Sequence, residues 1–573
     1  MLRYLITSVL LFSGISSVLF GQKKTEETYI IATANRKVPA AHRITEAPKI
    51  IDTILVQSEV QYPLLSLKHH TEISLDTIQA ASIRLENKLP QLYNTYVKLG
   101  IGSYLMPLGE VYYNNTRSRK FIYGASVKHL SAFGKIKNYA PASFDRTSFD
   151  IFGGIREKKY SVDGNFLVNS RGLHWYGIQD KNLSKDSIRN RFTEIGTNFS
   201  FTSHAKDSAH LNYKVGVSYL NFHDKKPAAD SLSKWNGREN NFAVRSTFWY
   251  KLNKEVFALD FNVLYNGYRY GVENKSIAIY DSGRVVNNTI VTLRPNITTY
   301  AFGNKLKAQV GVDLSLDAGI KTKFYIYPVA EVKYSLFNDI LIPYAGIKGG
   351  LKQNTFKSMS LENEFILSNV ELKNEHNAIS FFAGIKGTLT KTIGFDASIS
   401  FGNYKNKLLF VTDTLITDRR NQFRAIYDAM NITTIQGSIF YQMNEKIKVD
   451  LIGRFNSYNA RNNIYAWNLP ALQIIARGSY NLYDKFLIHL DMNFEGGRKA
   501  KVYEAGEGIL EENQQFAQKL GFIADVNLGV EYRYNKRISA FLQLNNVAAQ
   551  KYKRWYNYPV HTFQVLGGLT FRF

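Results

Sequence analysis

From about Thr95 onward, apolar and polar side chains alternate with a period of two residues. In Phe522–Asn535 the even-numbered positions are apolar or aromatic, whereas the other face carries Asp525, Asn527 and Glu531. The segment Phe257–Asn266 alternates in the same way. Such a period places the apolar side chains on one face of a β-strand. We therefore predict an all-β fold for this part of the chain.

A soluble β-sandwich also alternates, but three features favour a membrane barrel. Many segments run for ten or more residues, whereas soluble strands centre on about five or six and a tilted membrane strand needs roughly 9–11. Charges in mid-strand, such as Asp525, fit an aqueous lumen better than a protein interior. Aromatic residues gather near strand ends, for example Tyr112, Tyr113 and Tyr268. Such positions are typical of the interfacial girdles of outer-membrane barrels.

Short and long connections between the segments alternate along the chain. Short polar turns are predicted at residues 157–159, 253–255, 303–305, 338–339, 391–392, 444–446, 484–485 and 535–537. Longer loops are predicted at residues 223–239, 270–287, 357–377, 404–424, 459–470 and 495–519. Short periplasmic turns and longer outer loops are the pattern of a transmembrane barrel. We predict a single large transmembrane antiparallel β-barrel over residues 93–573, with about 22 strands and both termini periplasmic.

Composition excludes several other classes of protein. Mean hydropathy is −0.24 and no long apolar run follows the first twenty residues, which excludes a polytopic helical membrane protein. The chain has no Cys, so disulfides, thiol chemistry, cysteine-ligated metals and an acylated lipoprotein cysteine are excluded. With 45% apolar residues, an intrinsically disordered chain is not expected.

The N-terminus has the layout of a secretory signal. Arg3 precedes the largely apolar run Leu5–Phe20, and Gly21 provides a small residue for cleavage. A membrane anchor is the alternative, but several Ser and Thr residues interrupt the run, which is shorter than the roughly 20 apolar residues of a spanning helix. We predict a cleaved signal peptide at residues 1–21 and a periplasmic segment at residues 22–92. The mature protein is then expected in the outer membrane of a Gram-negative cell.

The last strand of the chain is apolar on one face and ends in Phe. The face predicted to contact lipid carries Phe563, Val565, Leu569, Phe571 and Phe573. A final strand that ends in a carboxy-terminal Phe resembles the strand read by the barrel assembly machinery. We predict that role for these five residues.

The end of the chain resembles TonB-dependent receptors. Leu542–Val547 forms an Asn-containing strand, the basic-aromatic loop after it contains Tyr558-Pro559, and Leu566–Phe573 closes with Arg-Phe. The resemblance is specific from Leu542 onward and only architectural over the rest of the barrel. It implies a barrel of about 22 strands, in agreement with the count of segments.

The N-terminal part departs from that family. Glu27, Thr28, Tyr29, Ile30 and Ile31 resemble the box that contacts TonB, and the nearby Arg43–Pro48 resembles an early plug segment. Only about seventy residues separate the cleavage site from the first strand, about half the length of a full plug. The resemblance therefore implies a truncated or vestigial plug. The alternative is that this segment is a periplasmic strand or tether.

A lumen this wide must be filled, or the outer membrane would lose its permeability barrier. Loops folded inward, residues 22–90 or another protein could fill it, and we expect loops together with the N-terminal segment. The net charge of +25 can lie in the lumen or at the rims, near the phosphates of lipid and lipopolysaccharide. Expected partners are therefore outer-membrane lipid, lipopolysaccharide, the barrel assembly machinery, and TonB or other envelope proteins. Nucleic acid is not an expected partner of an exported barrel.

Catalytic motifs are absent from the sequence. His69 and His70 are adjacent in an extended chain and point to opposite sides, so they cannot chelate a metal alone. His489 and Asp491 share the predicted lumen face, where an ion pair is expected. Neither a catalytic residue nor a metal site nor a cofactor is predicted, and no ligand-binding residue can be named. We predict solute passage or uptake across the outer membrane; the alternative is a structural subunit of a secretion or assembly complex.

Overall fold

The computed structural model describes residues 92–205, 210–225, 236–270, 284–319, 321–413, 420–502 and 516–573. Most of these residues are β-strand, and there is one α-helix, α1 (Phe356–Glu362), and a short 3-10 helix (Lys185–Ser187). No helix in this part of the chain is long and apolar enough to cross a bilayer. The predicted signal peptide, the box Glu27–Ile31 and all but the last residue of the segment 22–92 lie outside the described residues.

The strands follow one another along the chain with few interruptions. Their bounds are β1 (Thr95–Gly102), β2 (Met106–Asn114), β3 (Phe121–Ala132), β4 (Phe144–Arg156), β5 (Tyr160–His174), β6 (Arg189–Ser203), β7 (Asn212–Lys225), β8 (Gly237–Leu252), β9 (Glu255–Tyr270), β10 (Arg284–Ala301), β11 (Leu306–Ala318), β12 (Lys323–Tyr334), β13 (Ile342–Lys352), β14 (Glu375–Thr390), β15 (Ile393–Thr412), β16 (Phe423–Met443), β17 (Ile447–Ala460), β18 (Leu472–Leu482), β19 (Phe486–Gly496), β20 (Lys499–Val502), β21 (Phe516–Lys519), β22 (Ile523–Arg533), β23 (Ile538–Asn545), β24 (Lys553–Trp555), β25 (Tyr558–Pro559) and β26 (Gln564–Arg572).

The sheet is a closed antiparallel barrel of 22 strands. Each barrel strand pairs with the next along the chain, and β1 pairs with β26 from Tyr96↔Arg572 to Gly102↔Leu566. The short strands β20–β21 and β24–β25 form two separate hairpin sheets within loops. Closure satisfies the backbone hydrogen bonds of every strand, as a barrel in lipid requires. The predicted fold class and strand count are therefore confirmed.

Alternation decides which side of the wall each side chain faces. On β22, Asp525 and Asn527 point into the lumen, where they line a cavity described below, and Tyr532 lies exposed on the opposite face. On β12, Phe324 and Ile326 are exposed, whereas the alternate residue Tyr327 is buried. The outer surface is therefore a band of apolar and aromatic side chains, and the inner surface is mainly polar.

The two edges of the barrel differ in the length of their connections. One edge, the turn rim, holds the connection between β6 and β7 and residues 115–120, 157–159, 253–254, 302–305, 335–341, 391–392, 444–446, 483–485 and 534–537. Thr95 and Phe573 lie at this rim, where the Thr95 amide donates to the Phe573 carbonyl at 3.1 Å. The opposite edge, the loop rim, holds the longer connections and also the short turn at residues 103–105, between β1 and β2. The predicted alternation of turns and loops is confirmed, while the periplasmic placement of the turn rim stays a prediction.

Strand length varies around the barrel. The strands at the closing seam, β1 and β26, have 8 and 9 residues, whereas β15 and β16 have 20 and 21. The loop predicted at residues 404–424 was therefore too long, because β15 continues to Thr412 and β16 begins at Phe423. Near the end of β15, the four residues Leu408–Val411 are all buried. Such burial on both faces removes the alternation by which a strand is recognised.

Candidate functional site

The connection between β13 and β14, residues 353–374, is the main element inside the mouth of the barrel. We call it the cross-loop. Lys352 and Glu375 are paired in register at its two ends, so a two-residue turn could join these strands. The extra residues leave the wall and contact strands on other sides of the barrel.

The first half of the cross-loop contains helix α1. Thr355 is its N-cap and accepts a hydrogen bond from the Ser358 amide at 3.1 Å. The fully buried carboxylate of Glu239, on β8, accepts the Phe356 amide at 2.5 Å. Lys357 forms a 2.7 Å ion pair with Glu194 of β6. The barrel wall therefore fixes the start of this helix by charge-assisted hydrogen bonds.

Further polar contacts hold the centre and the end of the cross-loop. Arg171 of β5 donates to the Ser360 hydroxyl at 3.2 Å, and Arg146 of β4 lies 3.5 Å from the Glu364 carboxylate. The Ser368 hydroxyl donates to the buried carboxylate of Asp224, on β7. Contacts with β4 to β8 therefore run along the whole loop.

The cross-loop also adds a short strand-like pairing to β16. The Phe423 amide donates to the Phe365 carbonyl at 3.0 Å, and the Leu367 amide donates to the Phe423 carbonyl at 2.9 Å. Ile366 and Phe423 form an isolated parallel bridge. The same short segment is thus held by β16 on one side and by β4 to β8 on the other.

An aromatic core fills the space between the loops of the mouth. The ring of Phe365 stacks on Tyr558 with 3.6 Å between centroids, and Tyr176 meets Tyr558 edge to face at 4.9 Å. The Tyr176 hydroxyl donates to the Pro559 carbonyl at 2.9 Å. The buried members of this core are Ala140, Leu173, Trp175, Ile188, Phe192, Phe222, Tyr268, Phe356, Met359, Phe365, Ile366, Val370, Leu408, Phe410, Phe423, Trp555 and Tyr558. Inward-folded loops therefore fill part of the lumen, as the width of the barrel required.

A cavity of about 420 Å³ lies beside this core, between β4–β5 and β22–β26. Its lining residues are Ala142, Ser143, Phe144, Arg146, Leu173, His174, Tyr176, Glu364, Phe365, Asp525, Asn527, Asn545, Asn546, Tyr552, Val560, His561 and Gln564. We call it the mouth cavity. Its volume falls within the range of about 300–1,000 Å³ usual for small-molecule sites.

Polar and apolar groups line the mouth cavity in similar measure. Arg146 and Glu364 supply a cation and an anion, and Asp525 supplies a second carboxylate. The His174 Nδ1 donates to the Ser143 carbonyl at 2.6 Å, which leaves Nε2 as the acceptor in the neutral ring. Burial lowers the pKa of His561, so this ring is neutral at pH 7. The polar part of this lining can both donate hydrogen bonds to a solute and accept them from it.

The sequence named other residues as candidate sites. Phe563, Leu569 and Phe573 lie exposed at or beside β26, whose alternate residue Arg572 forms an inward ion pair with Glu531 at 3.3 Å. Val565 and Phe571 share the outward face of this strand. Recognition of β26 by the assembly machinery stays a prediction. No sequence signal identified the mouth cavity, because its lining comes from strand ends and loops that are distant along the chain.

The described residues contain no group of three or more His, Asp or Glu that could hold a metal ion. The sequence predicted an ion pair between His489 and Asp491, but in the structure Asp491 pairs with Arg477, at 3.8 Å on the neighbouring strand β18. These charges are exposed to the lumen and lie away from the mouth cavity, whose lining does not include them.

Known structures show which class of barrel this is. No protein-family model and no curated protein matches the sequence. The FrpB iron transporter from Neisseria meningitidis (F3-3 variant) is similar with a TM-score of 0.64 and 10% identity over 85% of this chain and 82% of that one. The ferripyoverdine receptor of the outer membrane of Pseudomonas aeruginosa is similar with a TM-score of 0.60 and 12% identity over 84% of this chain and 72% of that one. The ferric-catecholate import receptor Fiu from E. coli K12 is similar with a TM-score of 0.60 and 10% identity over 84% of this chain and 82% of that one.

These neighbours are TonB-dependent receptors with 22-strand barrels, and they are receptors and transporters rather than enzymes. At 10–12% identity the likeness is one of fold. The chain therefore has the barrel fold of TonB-dependent receptors, as its last strands indicated.

Proposed function

We propose that this protein is a Gram-negative outer-membrane barrel that binds a hydrophilic solute and mediates its uptake. The mouth cavity carries the proposal, since it places Arg146, Glu364 and Asp525 around a space of about 420 Å³ in a barrel with a receptor fold. The apolar outer face supports a location in lipid. Solute would bind beside the cross-loop, and passage would require that loop to move.

The proposal includes the partners expected from the sequence. Lipid would surround the wall, lipopolysaccharide would contact the loop rim, and the barrel assembly machinery would read β26. The segment Glu27–Ile31 would contact TonB and supply energy for uptake. The barrel fold, which is shared with receptors and transporters, supports a binding role without catalysis.

A structural subunit of a secretion or assembly complex is the second candidate. One observation favours it: the cross-loop and the aromatic core already close much of the mouth, so the barrel can span lipid without an open path. In that role the apolar wall would serve as a surface for other envelope proteins.

One experiment separates the two functions. The purified barrel is incubated with an extract of growth medium, washed, and its retained small molecules are identified by mass spectrometry. Uptake predicts a solute that the wild type retains and that Asp525→Ala/Asn527→Ala loses, since both side chains line the cavity. Arg477→Gln/Asp491→Asn is the control, because this pair lies elsewhere in the lumen. No retained solute, together with stable co-purification of envelope proteins, would favour the structural subunit.

A further inference from the structure

A second cavity lies on the outer face of the wall, at the turn rim between β2 and β3. Its volume is about 460 Å³, and its walls include the rings of Tyr113, Phe121 and Tyr123. These rings lie on the same face as Val111 and Val127, which are exposed on the outer surface of the barrel. We call it the rim cavity. Unlike the mouth cavity, it opens toward the surroundings of the barrel.

The turn at residues 115–120 forms the polar end of the rim cavity. The side chain of Asn115 donates to the Phe121 carbonyl at 2.6 Å and accepts from the Tyr123 amide at 2.8 Å. The Thr116 hydroxyl donates to Asn94 at 2.9 Å, and the Ser118 hydroxyl accepts the Phe121 amide at 2.9 Å. Side chains therefore fix the backbone of this turn, and the cavity is preformed.

The same turn carries a concentration of positive charge. It contains Arg117, Arg119 and Lys120 and no acidic residue, and all three side chains are exposed. Lys120 forms a 2.7 Å ion pair with Glu157 of the adjacent turn. No other described turn of this rim has three basic residues without an acidic one. Arg117 and Arg119 are chain neighbours of the lining residues Thr116 and Ser118, so two arginines flank the polar end of a cavity whose other walls are aromatic, although neither arginine lines it.

We propose that the rim cavity binds the headgroup of one anionic glycerophospholipid. Arg117 and Arg119 contact the phosphate, because a guanidinium can donate two hydrogen bonds to phosphate oxygens. The hydroxyl and amide groups of Thr116 and Asn94 lie near the headgroup, and the acyl chains follow the exposed aliphatic and aromatic strip of β2 and β3. The inference rests on the lipid-embedded location proposed above but not on solute uptake.

The test uses the full-length barrel, delipidated in detergent, with dioleoylphosphatidylglycerol as the probe and native mass spectrometry as the readout. We expect one tightly retained phosphatidylglycerol and weaker retention of dioleoylphosphatidylcholine. Arg117→Gln/Arg119→Gln should weaken retention about tenfold, since each basic residue near a membrane surface favours anionic lipid. Arg117→Lys/Arg119→Lys should retain more lipid than the glutamine variant. Lys158→Gln/Lys159→Gln removes the same charge from the adjacent turn and should change retention less than about twofold.

Several results would overturn the proposal. Equal retention of both lipids would indicate unspecific binding of lipid around the apolar wall. Equal weakening of retention by the two glutamine variants would indicate a long-range electrostatic attraction without a defined site. Complete displacement of lipid by inorganic phosphate would indicate a site for free anions. Heat-modified mobility on a gel verifies that each variant is folded, and flotation with liposomes tests the lipid location separately. A barrel that floats but retains no defined lipid would refute only this inference.

Discussion

Replacing Phe365 by Ala should release the cross-loop while the barrel stays folded. Phe365 is 6% exposed, and its ring is stacked on Tyr558 and lies edge-on to Tyr176 at 5.8 Å. Its carbonyl also accepts the Phe423 amide, so the residue joins the aromatic core to β16. The 22 barrel strands do not depend on this ring for their pairing.

The size of the effect follows from the burial of the ring. Truncating a buried Phe to Ala typically costs about 3–5 kcal/mol. The lower end of this energy range applies to Phe365, because water can enter the space that the missing ring leaves at the mouth of the barrel. A loss of about 3 kcal/mol corresponds to an increase of about 100-fold in the open population, since each 1.4 kcal/mol is a factor of ten.

Hydrogen–deuterium exchange measured by mass spectrometry tests this prediction. The Met359, Asn363 and Leu367 amides are hydrogen-bonded within the cross-loop or to β16, so they report its opening. Their exchange should accelerate about 100-fold, while exchange in the wall strands stays unchanged. The control is Phe381→Ala on β14, which removes the same ring from an exposed outer position. Acceleration below about threefold, or equal acceleration throughout the wall, would refute this account of the mouth.

Four other changes test separate parts of the structure. Replacing residues 353–374 by Asn-Gly should leave a folded barrel and admit to proteoliposomes a sugar that the wild type excludes; unchanged permeability would mean that other material fills the lumen. Gly568→Ala should destabilise the folded barrel by about 1–3 kcal/mol, because its Cβ would meet the backbone of β1. Gly567→Ala has only ordinary contacts and should fold, and heat-modified mobility on a gel would show both results. Deleting Phe573 should lower the amount of barrel in outer-membrane fractions if the assembly machinery reads β26. Deleting Glu26–Ala34 should abolish solute accumulation if TonB drives it, and undiminished accumulation would remove TonB from the mechanism.

The barrel wall could be predicted because each of its strands has one apolar and one aqueous side. That environment imposes alternation, as in Phe257–Asn266, and makes the strands countable. Antiparallel pairing then assigns the short turns to one rim without further information. The strand count and the order of turns and loops therefore followed from local patterns.

The structure of the mouth could not be predicted, because its residues lie beyond the part of the wall that has one apolar and one aqueous side. Leu408–Val411 continues β15 above the wall, where neighbouring loops bury every position and the alternation ends. Phe365 and Tyr558 are in contact but are far apart along the chain. The cross-loop contains one short helix and no motif, so its apolar residues could not be assigned a partner. The mouth cavity depends on these contacts and was missed for the same reason.

Two carboxylates at the ends of barrel strands favour the closed mouth. Glu239 and Asp224 would be hydrated carboxylates in an open lumen, but they are 0% and 3% exposed and accept hydrogen bonds from the cross-loop. Hydrogen bonds to charged groups contribute about 1.5–3 kcal/mol each, and burying such a carboxylate without its donors would be costly. The hydrogen bonds to these two carboxylates therefore stabilise the closed position of the cross-loop. When the cross-loop moves away, water can hydrate both carboxylates. A solute opens the mouth only to the extent that it binds the open state more tightly than the closed one.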